Sequence, residues 1–249
     1  MAIISVRDLK KQYGSFTAVN GISFDVEAGT VFGLLGSNGA GKTTTLEIIE
    51  TLKKKDSGNV TVGGHNIDTH PDEVRKMIGV QLQASGYFPN LNLTELLELF
   101  AGLYNVKVKP LDILASVQLA DKSRNKYKEL SGGQKQRFSI ATTIIHQPKI
   151  IFLDEPTTGL DPQARRQLWE QILRMKADGT TIVLTTHYLD EAEYLCDTVA
   201  IMDKGSMLTI DTPDNLIHQL VASGFQPQQN RKGASLEDVF INLTGKEIL

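Results

Sequence analysis

The sequence predicts an α/β fold: a mixed sheet with flanking helices, an antiparallel β subdomain near the start and a helical insert in the middle. Three observations carry that expectation. A short apolar run, Val31-Phe32-Gly33-Leu34-Leu35, leads directly into a glycine-rich loop, and apolar residues at helical spacing follow it. Two later apolar runs end on chemistry-bearing side chains, one at Asp154 and Glu155 and the other at His187. Between them and the first strands, residues 84–147 carry helical patterns and no convincing strand pattern.

The loop reads Gly36-Ser37-Asn38-Gly39-Ala40-Gly41-Lys42-Thr43, the spacing G-x-x-x-x-G-K-[ST] of a phosphate-binding loop. Glycines let the backbone turn so that several N–H groups point at one phosphate, and the following helix adds its positive N-terminal end. Lys42 is expected to reach the outer phosphates and the Thr43 hydroxyl to hold Mg²⁺. A glycine-rich turn can match this spacing by accident, but it would not also have a buried strand before it and a helix after it.

Composition narrows the function classes. The chain has 249 residues, 41% hydrophobic and 22% charged, enough for a sizeable core in one or two lobes. A net charge of −3 gives no global electrostatic case for nucleic acid. Apolar runs such as residues 150–153 are far below membrane-spanning length, and the first residues lack the layout of a signal peptide. The single cysteine, Cys196, excludes an internal disulfide. These features predict a cytosolic chain that needs another chain to supply any membrane span.

In chain order, residues 3–9 and 22–26 alternate as strands around a polar turn at Tyr13-Gly14. A tyrosine in a turn is ordinarily a surface residue; ahead of a nucleotide loop, its ring can also stack on adenine. Asp56-Ser57-Gly58 reads as a turn before a strand at 60–62. Pro71 opens a short helix, and 77–82 is a strand with Gln83 just beyond. Gln83 fits either polar loop chemistry or, beside a metal, coordination or water orientation. Thr94 is the expected cap of a helix running to 104, and helical character resumes over 110–119. Ser131 in Leu130-Ser131-Gly132-Gly133-Gln134 can serve simply as an N-cap for a helix over 135–146. Two glycines there weaken that helix by about 1 kcal/mol each, which a closely approaching phosphate would justify.

The run 150–153 closed by Asp154 and Glu155 is either an acidic turn after a core strand or a metal-supporting acid with a proton acceptor beside it. After a rigid turn at 156–162, a helix is expected over 163–177 with Leu168, Ile172 and Met175 on its stripe and Trp169 in the core. Residues 180–186 form a buried strand, and His187 at its end is either a structural histidine or a partner of the γ-phosphate. A helix starts at Asp190, final strands follow at 198–202 and 207–210, and 224–234 reads as a linker. Ser235 with Asp238 then makes a capping-box-like start to a short amphipathic segment.

These residues together resemble the nucleotide-binding subunit of an ATP-binding cassette (ABC) transporter over nearly the whole chain. Gly36 to Thr43 matches the Walker A loop of a RecA-like P-loop NTPase core, and Leu-Ser-Gly-Gly-Gln matches the family signature letter for letter. The resemblance implies ATP and Mg²⁺ as ligands. It implies nucleotide contacts from Tyr13, from Gly36 to Thr43 with Thr44, from Ser131, Gly132, Gly133 and Gln134, and from Asp161 of the D-loop. It implies metal contacts from Thr43, Gln83 and Asp154, and catalytic roles for Glu155, His187 and Gln83. It implies a head-to-tail dimer with a second nucleotide-binding subunit, separate transmembrane permease subunits, and a place on the inner face of the cell membrane. Thr186-His187-Tyr188-Leu189-Asp190-Glu191-Ala192 and the terminal Leu236-Glu237-Asp238-Val239-Phe240 look like exporters of the drug, antibiotic or polysaccharide type, without the longer tail many of them carry.

The expected organisation is one ABC ATPase domain, 1–249. Residues 1–83 and 148–223 form the nucleotide-binding core, 84–147 the helical signature subdomain, and 224–249 a linker with a short C-terminal helix. A soluble cassette ATPase of DNA repair or translation is the alternative. It is disfavoured because such proteins usually carry a long coiled-coil insertion or two cassettes.

Overall fold

The computed structural model describes residues 1–81, 86–225 and 234–245. Gln83 and most of the expected linker therefore lie outside the described residues. The chain opens with a long hairpin, β1 (Ala2–Tyr13) and β2 (Phe16–Glu27), followed by β3 (Val31–Leu35), the glycine loop and α1 (Lys42–Ile49). β4 (Ser57–Val62) and β5 (His65–Asn66) complete a four-stranded antiparallel sheet in the order β2-β1-β4-β5. Then come α2 (Pro71–Met77) and β6 (Ile78–Gln81), and after them the helical insert with α3 (Leu93–Leu103), α4 (Pro110–Ser116) and α5 (Gly132–Thr143). The second half alternates β7 (Ile150–Asp154), α6 (Pro162–Ala177), β8 (Thr181–Thr186), α7 (Leu189–Leu195), β9 (Thr198–Asp203) and β10 (Ser206–Asp211), ending with α8 (Pro213–Ala222) and α9 (Leu236–Thr244).

The six-stranded sheet has the order β10-β9-β3-β8-β7-β6, parallel except for the β9–β10 hairpin. Its central strands are apolar without alternation because both faces are covered. Phe32, Leu34, Phe152, Val183 and Ala200 face a core shared with the antiparallel sheet and α1. Val31, Leu35, Ile151, Leu153, Ile182 and Leu184 face a second core with Leu168, Ile172, Leu195, Leu216 and Phe240 from the helices. The helical insert has a third core of its own, around Leu96, Leu97, Leu114 and Phe138.

Several local expectations need correction. The first two strands run well past 9 and begin well before 22, because a bulge with Asp8 at φ 48° breaks the alternation without ending the pairing. Tyr13 thus closes a strand and pairs with Phe16 instead of lying within a polar turn. Ser57 pairs with Lys10 and belongs to β4, not to the preceding turn. Asn92, not Thr94, caps α3: Asn92 Oδ1 accepts from the Glu95 N–H at 3.0 Å and Glu95 Oε2 from the Asn92 N–H at 2.8 Å. The Thr94 hydroxyl instead donates to the Ser123 carbonyl at 3.2 Å. α4 stops short of 119, where Gln118 turns left-handed at φ 57°. α5 begins at Gly132, so both glycines form its first turn, and Ser131 is its cap. α8 is unanticipated; Thr212 caps it, Pro213 opens it, and Leu216 and Leu220 are its buried stripe.

One buried acid stands out. Glu50, the C-cap of α1, is 4% exposed; burial, reinforced by the charges of Asp154 and Glu47, pushes its carboxyl from 4.5 to about 8. The folded chain therefore keeps a proton that the unfolded chain gives up above pH 4.5. This contribution to stability is full below pH 4.5 and is lost as pH rises through about 8. Glu50→Gln should accordingly gain on the parent between about pH 5 and pH 9, by at least about 4 °C in melting temperature. Parallel melting curves for parent and variant over that interval would show that Glu50 does not hold a displaced proton.

Candidate nucleotide site

Topology assembles the site. β3, β8, β7 and β6 lie side by side and parallel, so their carboxyl ends open on one edge of the sheet. From that edge emerge the glycine loop after Leu35, His187 after β8, and Asp154 with Glu155 from β7. β6 ends at Gln81, two residues before Gln83.

The loop is held by close backbone packing. A Cβ at Gly41, where φ is +101°, would sit 2.3 Å from the Ala18 carbonyl oxygen, and a Cβ at Gly36 would sit 2.5 Å from that of Met202. Only glycine fits at these two places, and β2 and β9 together fix the loop's shape. Lys42 is 5% exposed; its Nζ donates to the Gly36 carbonyl at 2.7 Å and the Ser37 carbonyl at 3.2 Å. Burial lowers its pKa, and the charges of Glu155 and Asp154 oppose that shift. The ammonium thus lies inside the cradle, where an incoming phosphate can take over from the carbonyls.

Two acids stand opposite. Asp154 is 9% exposed; its Oδ2 accepts from the Thr43 hydroxyl at 3.5 Å and its Oδ1 from the Thr185 hydroxyl. Burial raises its pKa, while the Thr185 hydrogen bond and the Lys42 charge pull it down. A buried carboxylate facing a hydroxyl across 3.5 Å fits a divalent cation that restores its charge. Among the described residues no group of three or more His, Cys, Asp or Glu could hold a metal ion.

Glu155 sits at φ 47°, a left-handed conformation that costs a non-glycine residue about 1–3 kcal/mol. Its N–H is held by the Thr185 hydroxyl at 3.0 Å and the Thr185 carbonyl at 3.2 Å. Its Oε2 accepts from the Thr158 hydroxyl at 3.3 Å and lies 3.4 Å from His187 Nδ1, without the alignment of a hydrogen bond. The acid and the histidine thus meet at the mouth of the loop.

The remaining candidates make contacts of their own. Tyr13 is 44% exposed at the hairpin tip, with Lys11 Nζ 5.4 Å and Lys53 Nζ 5.8 Å from the ring centre. Asp161 caps α6 by accepting from the Ala164 N–H at 2.8 Å. Ser131 and Gln134 form a reciprocal cap, with Ser131 Oγ accepting from the Gln134 N–H at 3.3 Å and Gln134 Oε1 from the Ser131 N–H at 2.9 Å. Gly133 has a packing reason, since a Cβ there would lie 2.8 Å from the Cβ of Ala164. Gly132 has none and faces open space. Among the described residues, the side-chain hydrogen bonds of Lys42, Thr43 and Thr45 involve none of these six.

Thr185 is missing from the sequence-level candidates, although one hydroxyl of this residue joins Asp154 and Glu155. The only sequence signal is its hydroxyl in a buried run; its meaning comes from the strand register that sets it opposite Asp154.

Fold and site together define a nucleoside triphosphatase of the P-loop class. The ABC transporter family profile matches residues 19–158 of the chain. The linearmycin resistance ATP-binding protein of Bacillus subtilis is 37% identical over 223 residues, covering 88% of this chain and 72% of that protein. The Nod factor export ATP-binding protein I of Ralstonia nicotianae is 39% identical over 220 residues, covering 86% and 68%. A solved ATP-binding subunit of an ABC transporter superposes with a TM-score of 0.83 at 28% identity, covering 97% and 99% of the two chains. The chain belongs to the ABC transporter family, as an ATP-binding protein with ATPase activity.

Thr185→Val keeps the shape and removes the hydroxyl, leaving Asp154 Oδ1 without its donor. We expect it to lose about 1–3 kcal/mol of stability in urea denaturation, with Thr185→Ser close to the parent. Equal unfolding midpoints for Thr185→Val and the parent would remove the bridge from the structure's supports.

Proposed function

We propose that this chain is the ATP-hydrolysing subunit of an exporter, and that two copies, or one copy and a related chain, close head to tail around ATP. The observation that supports the dimer most directly is the separation of the two anion-binding helix ends. The loop opens α1 in the main core, whereas Gly132 opens α5 in a lobe with its own core. Among the described residues Gly132 has no neighbour that would require glycine, so a phosphate held by a partner explains it.

On this reading Lys42 and the loop N–H groups bind the β- and γ-phosphates, and Tyr13 stacks on the base. Mg²⁺, held by Thr43 and Asp154 and by Gln83 from outside the described residues, would neutralise phosphate charge. Glu155 accepts a proton from the attacking water as that oxygen bonds to the γ-phosphorus and the bond to ADP breaks. His187, beside Glu155, donates to the γ-phosphate. The signature residues Ser131, Gly132, Gly133 and Gln134, with Asp161, complete the site of the opposite subunit.

The exporter assignment rests on relatives named for linearmycin resistance and Nod factor export. No helix among the described residues is long and apolar enough to cross a membrane, so separate permease subunits would carry the span and hold the chain at the inner face of the cell membrane. In this scheme 1–83 and 148–223 bind nucleotide, 84–147 transmits closure to the permease, and 224–249 is an accessory tail.

Glu155→Gln should bind ATP yet lose about a hundredfold or more in turnover. With ATP and Mg²⁺ it should double its molar mass in light scattering, but not with ADP. Adding Ser131→Arg should abolish that dimer while leaving monomer binding intact. If Ser131→Arg changes neither nucleotide-driven association nor ATPase activity, the trans site is wrong.

For the base, Tyr13→Ala should weaken ATP binding by about 1–3 kcal/mol, whereas Tyr13→Phe should bind almost normally. Equal affinity in Tyr13→Ala and the parent, by equilibrium titration, would remove Tyr13 from the site.

A further inference from the structure

A second polar cluster adjoins the segments that carry Glu155 and His187. At its centre is Glu191 of α7, fully buried at 0% exposure. Its Oε1 accepts from Trp169 Nε1 of α6 at 2.9 Å. Its Oε2 is enclosed and, among the described residues, meets no group in strict hydrogen-bond geometry, and the same is true of the Thr157 hydroxyl. The hydroxyls of Thr186 and Thr157 nevertheless lie close enough to the carboxyl to favour its charged form, as does the Arg165 guanidinium. Both threonines are buried, at 1% and 0% exposure.

Each threonine belongs to a segment that carries a proposed catalytic group. Thr157 stands two residues beyond Glu155; its carbonyl accepts from the Leu160 N–H at 3.1 Å, and its neighbour Thr158 bonds the Glu155 carboxylate. Thr186 immediately precedes His187, and its hydroxyl accepts from the Tyr188 N–H at 2.9 Å. Arg165 braces the same turn, with its guanidinium 4.4 Å from the centre of the Tyr188 ring. Glu191 therefore adjoins the segment after Glu155, the segment around His187, and α6.

We infer that Glu191 is a positioning residue for hydrolysis, a buried bridge to Thr157 and Thr186 that sets the distance between Glu155 and His187. The inference rests on the proposed roles of that pair. A buried carboxyl is a poor choice for stability alone, because a packed apolar residue at such a site is often neutral or stabilising. Burial raises its pKa, and the bridge works in either protonation state. In the proposed bridge an ionised carboxylate can accept from both hydroxyls, and a protonated acid can donate to one and accept from the other. Glutamine can do the same with one amide oxygen and one amide N–H, whereas leucine can do neither.

The test uses the full chain with steady-state ATPase kinetics and thermal melting. In Glu191→Leu and Thr157→Val, kcat should fall about tenfold or more while KM for ATP stays within about threefold, because a misplaced reacting pair slows chemistry without loosening the nucleotide. Glu191→Gln and Thr157→Ser, which keep the hydrogen-bonding groups, should stay within about threefold of the parent kcat. Thr157→Val, which changes no charge and little volume, keeps the test available if Glu191→Leu does not fold. A folded Thr157→Val with the parent's kcat overturns the inference, as does a loss that Thr157→Ser fails to rescue. The two levels of the reading separate cleanly. Full turnover in Glu155→Gln brings down the base assignment beneath it, whereas an inactive Glu155→Gln beside a fully active Thr157→Val brings down only the bridge.

Discussion

The structure depends on the seam between β7 and β8. Five registered pairs run along it, from Ile150 opposite Thr181 to Asp154 opposite Thr185. At the last pair the Thr185 hydroxyl donates to Asp154 and accepts from the Glu155 N–H, so one oxygen atom fixes both acids. A slip of one residue would turn every side chain of β7 to the other face, moving Phe152 and Leu153 between cores and carrying Asp154 away from Thr43. The apolar packing on the two faces therefore protects the site's geometry as well as the chain's stability.

The same edge gathers the loop, the acids and His187 because the strands are parallel and adjacent, not because the residues are near in sequence. The helical insert leaves this sheet after β6 and returns before β7; it has a third core of its own, while Ile140 of α5 also packs into the second core. Gly133 rests on Ala164 next to the Asp161 cap, so the start of α5 approaches α6 through two of the smallest residues.

Much of this was legible in the sequence where the chemistry is local. The spacing from Gly36 to Thr43, the pentapeptide at 130–134 and the apolar run ending in Asp154 each name a backbone conformation that needs those residues. The capping box at Ser235 and Asp238 is legible for the same reason, since both halves of the interaction lie within four residues. Sequence reasoning failed where a distant partner decides. The first hairpin hides its length behind a bulge at Asp8, and Asn92 outcompetes Thr94 because Ser123 engages the threonine. Thr185, Thr157 and Glu191 are ordinary residues until strand register and helix packing surround them. α8 was a plain omission, because Thr212-Pro213 and the Leu216, Leu220 pair announce it in the sequence.

The left-handed backbone at Glu155 has a consequence for how such a chain can change over generations. Asparagine or glycine would accept that conformation with less strain, so selection for robustness alone pulls this position away from glutamate. In its proposed role as base, Glu155 is held there by selection for turnover. A lineage that came to use this fold only as a scaffold would be released from the second pressure, and position 155 is where its sequence should drift first. The strain makes this residue, in that proposed role, a recorder of whether hydrolysis still matters to the cell that carries the gene.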